Sequence, residues 1–371
     1  MKKKMVSVLL VAAMIVGTII PAWAAQVSPQ KTYEKTTEII KAGSKEFSWG
    51  GGDLNSQDWE ILALGRTGEI RASDVTHYVA SLNAEAEAII QRGDLSEMAR
   101  AVLVQRALGQ ESGTMESSLS QAVLEKTFTP SDFVNQAIWA LLALQSGGTE
   151  YNEACEKLVA YLLQRQHENG AWGDYNYDAA WQRDLTNPSD EVDYTAEALM
   201  ALAPYEREHK EAIQAALLWL KGQQQEDGLF MYWGSPSLEA TAEVAIALTT
   251  LKKDPTNWNG KNMITALCRY GQEDGSFRVN DWDNDYTTCE VYRALAAYLR
   301  FRRSMDGLYA MQDGIPSKAL QWTVHHRTEE TEESRDSAVT AAKTGDTGMI
   351  VYMGLSLAAV TGMGWTAKRR Q

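Results

Sequence analysis

Apolar residues recur at helical spacing, every third or fourth position, from about residue 31 to residue 303. No β-branched run alternates apolar and polar residues as a strand would. Read in pairs, the pattern predicts twelve helices. The first of each pair covers 32–42, 75–92, 117–126, 150–166, 209–225 and 260–271. The second covers 56–66, 95–108, 132–145, 193–203, 238–252 and 286–302. Second members are rich in small and apolar residues. Ile138-Trp139-Ala140-Leu141-Leu142-Ala143-Leu144 is apolar nearly all round, which marks a buried helix. First members keep polar positions such as Lys157, Gln164 and Arg165. Each pair therefore supplies one outer and one inner helix. Six such pairs can close into a ring of inner helices wrapped by outer ones, and closure leaves no terminal repeat with an uncovered face. The expected fold is all-α, an (α/α)6 toroid over residues 25–303, with an open solenoid of the same pairs as the alternative.

One phrase recurs three times. A glycine turn with an aromatic leads into an inner helix that begins Thr-x-Glu. The copies are Gly170-Ala171-Trp172 with Thr195 and Glu197, Gly228-Leu229-Phe230 with Thr241 and Glu243, and Gly275-Ser276-Phe277 with Thr288 and Glu290. The glycines lie 58 and 47 residues apart, a spacing that indicates stacked supersecondary units. Each glycine can take the left-handed conformation that ends a helix. Asn169, Asp227 and Asp274 before them suit turns. The aromatic can then fold back onto the helix just ended. The three glutamates read as first-turn partners of the helix dipole.

Gln166-x-x-x-Gly170-x-Trp172 has the full Gln-to-Trp repeat motif, and here the chain resembles the squalene-cyclase and protein-prenyltransferase superfamily. In the later copies Phe230 and Phe277 replace Trp, and Gly271 replaces Gln. Residues 131–148, 192–205 and 216–230 also look like bacterial prenyltransferase-like surface proteins. Over roughly residues 33–303 the resemblance implies the toroid. Two inner-helix starts, Glu191-Val192-Asp193-Tyr194-Thr195-Ala196 and Asp283-Asn284-Asp285-Tyr286-Thr287-Thr288, are similar to the acid motif of squalene–hopene cyclases. There the middle aspartate protonates an isoprenoid double bond. The resemblance implies Asp193 and Asp285, with Asp283, as candidate acids, although Tyr194 and Tyr286 replace the motif's last aspartate. Read on their own, the same aspartates are helix caps. The zinc-binding Asp-x-Cys pair of the prenyltransferases is absent, since Thr287 stands two residues before Cys289. Asp174-Tyr175-Asn176-Tyr177-Asp178 begins like a calcium loop, but Ala179 stands at its glycine position. No metal and no cofactor is expected.

In such a ring every outer-to-inner connection emerges at one rim, and these connections carry the aromatics. Trp49, Trp172, Tyr175, Trp181, Tyr194, Tyr232, Trp233, Trp282 and Tyr286 are the candidate ligand-binding residues. The formal charge of −14 argues against nucleic-acid binding. Residues 1–24 have the basic start, apolar stretch and Ala22-Trp23-Ala24 end of a signal peptide. Residues 304–347 read as an acidic Thr/Glu-rich stalk, and 348–371 as a transmembrane anchor with the basic tail Lys368-Arg369-Arg370. Thr344-Gly345 ahead of that segment resembles a Gram-positive wall-sorting signal, with Ala341-Ala342 where the motif has Leu-Pro. Cys155, Cys268 and Cys289 read as small core residues, with a Cys268–Cys289 disulfide as the alternative. The sequence favours a surface-anchored, non-catalytic module that binds an isoprenoid, a glycan or another small molecule at its rim, or serves as a scaffold. The alternative is an enzyme, terpene-cyclase-like or glycan-active, using Asp193 or Asp285 as general acid.

Overall fold

The computed structural model describes residues 27–174, 176–177, 183–184, 189–232, 234–279 and 285–322. Among these are twelve α-helices. The outer set is α1 (Pro29–Gly43), α3 (Thr76–Arg92), α5 (Gly113–Glu125), α7 (Asn152–Arg165), α9 (Lys210–Gln223) and α11 (Met263–Cys268). The inner set is α2 (Ser56–Arg66), α4 (Leu95–Ala107), α6 (Val134–Ser146), α8 (Val192–Leu202), α10 (Leu238–Thr250) and α12 (Asp285–Arg302). Each inner helix packs against the next, and α12 returns to pack against α2. The ring is therefore closed, and the open solenoid is excluded. Burial follows the same division. Helix α10 buries every residue from Ala240 to Thr249, whereas α3 buries only Tyr78, Leu82 and Ile89.

The repeated phrase forms one hydrogen-bonded unit three times. Gly170, Gly228 and Gly275 have φ of 94°, 95° and 93°. The backbone N–H before each aromatic donates to the turn residue ahead of it, Ala171 to Asn169, Leu229 to Asp227 and Ser276 to Asp274. The aromatic's own N–H then donates to the Thr hydroxyl of the next inner helix. Those bonds are Trp172 to Thr195 at 2.9 Å, Phe230 to Thr241 at 2.9 Å and Phe277 to Thr288 at 3.1 Å. Trp172, Phe230 and Phe277 are all fully buried. Gln166 Nε2 adds bonds to the carbonyls of Gly170 and Ala212, tying α7 to α9.

Three details depart from the sequence reading. The fourth and fifth outer-to-inner connections contain short antiparallel ladders, β1 (Asn176–Tyr177) with β2 (Arg183–Asp184) and β3 (Phe230–Tyr232) with β4 (Ser235–Ser237). Tyr232 pairs with Ser235, so only two residues turn the second hairpin, and Gly234 takes φ of 82° there. Helix α11 is shorter than predicted because the Asn262 side chain caps it, accepting the Thr265 N–H at 2.8 Å. The ring does not end at residue 303. Leu308, Tyr309, Met311 and Trp322 are buried, so the segment 304–322 is a packed strap and not the start of a stalk. Arg66 holds it, donating from Nε to the Leu308 carbonyl (2.9 Å) and from its terminal nitrogens to those of Gly314 (2.8 Å) and Ala310 (2.9 Å). Arg66 and Arg300 both pair with Asp313.

All three cysteines are buried and free, so they act as core residues and Cys268 is not bonded to Cys289. The predicted signal peptide, the remainder of the stalk (323–347) and the anchor (348–371) lie outside the described residues. Among the described residues no helix is long and apolar enough to cross a membrane.

Candidate acid centre in the ring

Inner helices present one face to the ring axis, and residues four apart share that face. Helix α8 carries Asp193 and Glu197 at this spacing, α10 carries Glu239 and Glu243, and α12 carries Tyr286 and Glu290. One turn beyond Glu290 stands Arg293, fully buried. Its guanidinium donates to the carboxylates of both Glu243 and Glu290 and to the Tyr309 hydroxyl of the strap. It also lies over the Trp59 ring, 5.2 Å from the centroid. Trp59 packs on Trp139 at 4.6 Å, and Trp139 meets the Tyr309 ring edge-on at 5.3 Å. Glu197 accepts a bond from Asn135 Nδ2 at 3.2 Å, which ties α6 to α8. Thr287 donates to Glu239, which ties α12 to α10.

One guanidinium thus serves a crowd of carboxyl groups in a dry place. Burial pushes Glu197 well above the usual carboxylate range, and the charge of Asp193 adds to the rise. Burial also raises Glu243, although Arg293 pulls against it, and Glu290 lies within hydrogen-bonding reach. Asp193 is raised by burial and then by Glu290 and Glu239, against the pull of local backbone N–H groups. Nearer the mouth, burial pushes Glu191 up to about 7 against its bond from Ser189. Burial and the charge of Asp285 push Glu60 of α2 up to about 8. A carboxyl group kept neutral near pH 7 can donate a hydrogen bond or a proton. Trp59, Trp139, Tyr194 and Tyr286 supply aromatic surface beside these acids.

Residues 76–185 match the family described as squalene–hopene cyclase C-terminal domain. A lanosterol synthase from Aspergillus fumigatus is 32% identical over 109 residues, which are 29% of this chain and 14% of that enzyme. The chain therefore spans only a small part of that relative's length. Among solved structures, an unsaturated glucuronyl hydrolase from Bacillus sp. GL1, responsible for glycosaminoglycan degradation, superposes with a TM-score of 0.56 at 13% identity. The alignment covers 77% of this chain and all of that one. A type II terpene cyclase from Scytonema, solved with geranylgeranyl dihydroxybenzoate as substrate, gives 0.50 at 14% identity over 74% of this chain and 99% of that one. The fold is an α/α toroid, and over residues 76–185 the chain is similar to squalene–hopene cyclases.

The toroid treats the sequence-predicted residues unequally. Asp193 is half-buried and belongs to the acid cluster. It is the second residue of α8 and not its cap, and its Oδ1 accepts the Tyr194 N–H at 3.1 Å. Tyr194 and Tyr286 are half-buried at the same level. Asp285 opens α12 and is exposed, so it contributes its field to Glu60 and not a buried carboxyl. Trp49 is half-buried under the Arg100 guanidinium at 4.6 Å, on a loop whose Gly50 N–H is held by buried Asp58. Tyr232 is exposed on β3. Trp172 is corrected: it is fully buried and its indole N–H donates to the Leu162 carbonyl at 2.8 Å, so it staples repeats and offers no surface to a ligand. Asp283, Tyr175, Trp181, Trp233 and Trp282 lie outside the described residues. Asp174 of the calcium-like run is buried and accepts the Val134 N–H at 2.7 Å, at the start of α6.

Sequence reasoning did not single out Glu60, Trp59, Trp139, Arg293 or Tyr309, and it gave Glu197, Glu243 and Glu290 only a dipole role. One signal was present. Arg293 is the one charged residue in the otherwise apolar and aromatic run 291–299 of α12, three residues after the last repeated glutamate.

Proposed function

We propose that the toroid is a small-molecule enzyme that works by acid catalysis, with Asp193 as the proton donor at the mouth. The observation that carries this is the pairing of Glu243 and Glu290 on the buried guanidinium of Arg293, with Glu197, Asp193 and Glu239 close enough for these charges to act on one another. Burying several carboxyl groups with one counter-charge is costly and gives the fold nothing that apolar side chains would not give. Groups raised in this way cluster at functional sites. Glu197 sits one turn below Asp193, and the charges of Glu290 and Glu239 add to the burial that raises Asp193. Tyr194 and Tyr286, half-buried beside these acids, have π faces that suit developing positive charge. This favours an isoprenoid substrate. A glycan is the second reading, favoured by the fold shared with glucuronyl hydrolases.

The test offers purified protein two substrate classes, polyprenyl aromatic compounds and unsaturated glucuronyl saccharides. Asp193→Asn is expected to lower turnover by about 10²–10⁴-fold, the usual worth of a positioned general acid. Binding without turnover of either class would overturn the acid reading and leave the non-catalytic module expected from sequence. Export and anchoring by residues 1–24 and 348–371 are part of the same proposal, supported by their composition alone. Mature protein beginning at Ala25 in a membrane or wall fraction is the expected result. An intact Met1 start in the cytosol would refute it.

A further inference from the structure

The acid centre has a floor. Trp59 of α2 packs on Trp139 of α6 with ring centroids 4.6 Å apart. In the ring α4 stands between those two helices, so their side chains meet only by crossing the lumen. Tyr309 of the strap enters from the opposite end. Its ring meets Trp139 edge-on at 5.3 Å and Trp59 at 6.3 Å, and its hydroxyl accepts from Arg293 of α12. Arg293 lies over Trp59 and donates to Glu243 of α10. Side chains of α2, α6, α10, α12 and the strap thus make one layer across the ring. Its members are packed shut, with Arg293, Tyr309 and Trp139 only 1%, 2% and 6% exposed. Tyr309 also lines the groove between the strap and the C-terminal ends of α6, α8 and α10. Trp59 is half-buried and does not line that groove, so its open surface faces the mouth. The layer is a partition between the two ends of the lumen.

We propose that this partition makes the Asp193 site a dead end, in which Trp59 and Trp139 set the length of chain that fits beneath the acid. The proposal rests on the isoprenoid reading above. Arg293 holds Glu243 and Glu290, which stand one turn below Glu239 and Tyr286, as Glu197 stands one turn below Asp193. At about 5.4 Å per turn, the lumen below Asp193 is about 5–10 Å deep. An extended isoprene unit places four carbons along its chain, about 5 Å at roughly 1.5 Å per bond. The site therefore admits about one or two isoprene units below the acid. A long polyene has no room to fold up beneath Asp193. The substrate is a short prenyl compound, or a longer one that offers only its end and leaves the rest outside the mouth.

The experiment titrates the full chain with geranyl, farnesyl and geranylgeranyl ethers of one hydroxybenzoate. Tryptophan fluorescence reads binding, and product analysis reads turnover separately. In the wild type the three compounds are expected to bind within about threefold of one another, because added units stay above the floor. A deep lumen would instead add at least about tenfold in affinity for each further unit buried. Trp59→Ala and Trp139→Ala lower the floor from different helices. In either variant that folds, the farnesyl compound is expected to gain about tenfold or more over the geranyl compound. If neither folds, the wild-type series decides. A steady gain in affinity with each unit in the wild type would overturn the proposal. So would length-independent binding in both folded variants, or binding of none of the three compounds. Length-limited binding without turnover upholds the floor and refutes acid catalysis, so the two readings fail separately.

Discussion

Glu60 shows how burial acts on one carboxyl group. Its pKa in the fold, about 8, stands far above the usual 4.5. Between those values the folded protein holds a proton that the unfolded chain has released. Stability is therefore lost as pH rises from about 4.5 to about 8 and is level above that. Glu191, pushed up to about 7, and Asp58, pushed up to about 6, act in the same sense over narrower windows. Glu60→Gln mimics the protonated acid. It is expected to raise Tm at pH 8.5, by about 2 °C for each kcal/mol recovered, and to leave Tm at pH 4.5 unchanged. Calorimetric scans at the two pH values check this, and an equal change at both would show that Glu60 does not titrate in this window. For Asp193 the same physics acts in the same direction, since burial and then the charges of Glu290 and Glu239 raise it above an exposed aspartate.

At the scale of elements, the repeated turn is a joint between helices. Gly170 is left-handed, and a Cβ there would lie 2.6 Å from the carbonyl carbon of Ala215 on α9. Glycine is needed both for its φ and for the close approach of two backbones. Gly170→Ala is expected to destabilise the protein by about 2 kcal/mol or more, since left-handed strain alone costs roughly 1–2 kcal/mol. Gly222 provides the contrast. It lies inside α9 with open space where a Cβ would be, so Gly222→Ala is expected to stabilise by about 0.5–1 kcal/mol. Urea unfolding of both variants distinguishes a joint from a spacer, and the same sign for both would contradict the account. The turn's glycine, its Asn or Asp and its aromatic were all legible in sequence, because each acts within a few residues of chain. The direction of Trp172 was not. Its N–H groups are held by Thr195 and Leu162, and only packing of the repeats shows that nothing of the ring is left for a ligand.

At the scale of the whole molecule, the strap completes the ring. Arg66 is fully buried, and its acceptors are strap carbonyls and Asp313. A chain ending at residue 303 would leave that charge uncompensated inside the protein, a loss of about 3–5 kcal/mol for a broken buried pair. It is expected to melt well below the full chain or to aggregate, whereas a chain ending at residue 322 is expected to melt like the full chain. Equal melting of the two shortened chains would mean that the strap merely rests on the ring. The strap was misread as stalk because Leu308, Tyr309 and Trp322 are isolated apolar residues without periodicity, and only the partner surface shows that they are core. The sequence by itself determined the helices, their outer and inner roles and their pairing, with the closed toroid expected and an open solenoid as the alternative until the packing of α12 on α2 closed the ring. These follow from 3.6-residue periodicity and from short-range turn chemistry, which any local window contains. It also marked Asp193. The tertiary structure alone decided that Glu197, Glu243 and Glu290 meet one another around Arg293. A glutamate in the first turns of a helix has a sufficient local reason to be there, in the helix dipole. Its second role exists only because closure brings α8, α10 and α12 face to face and removes water from between them.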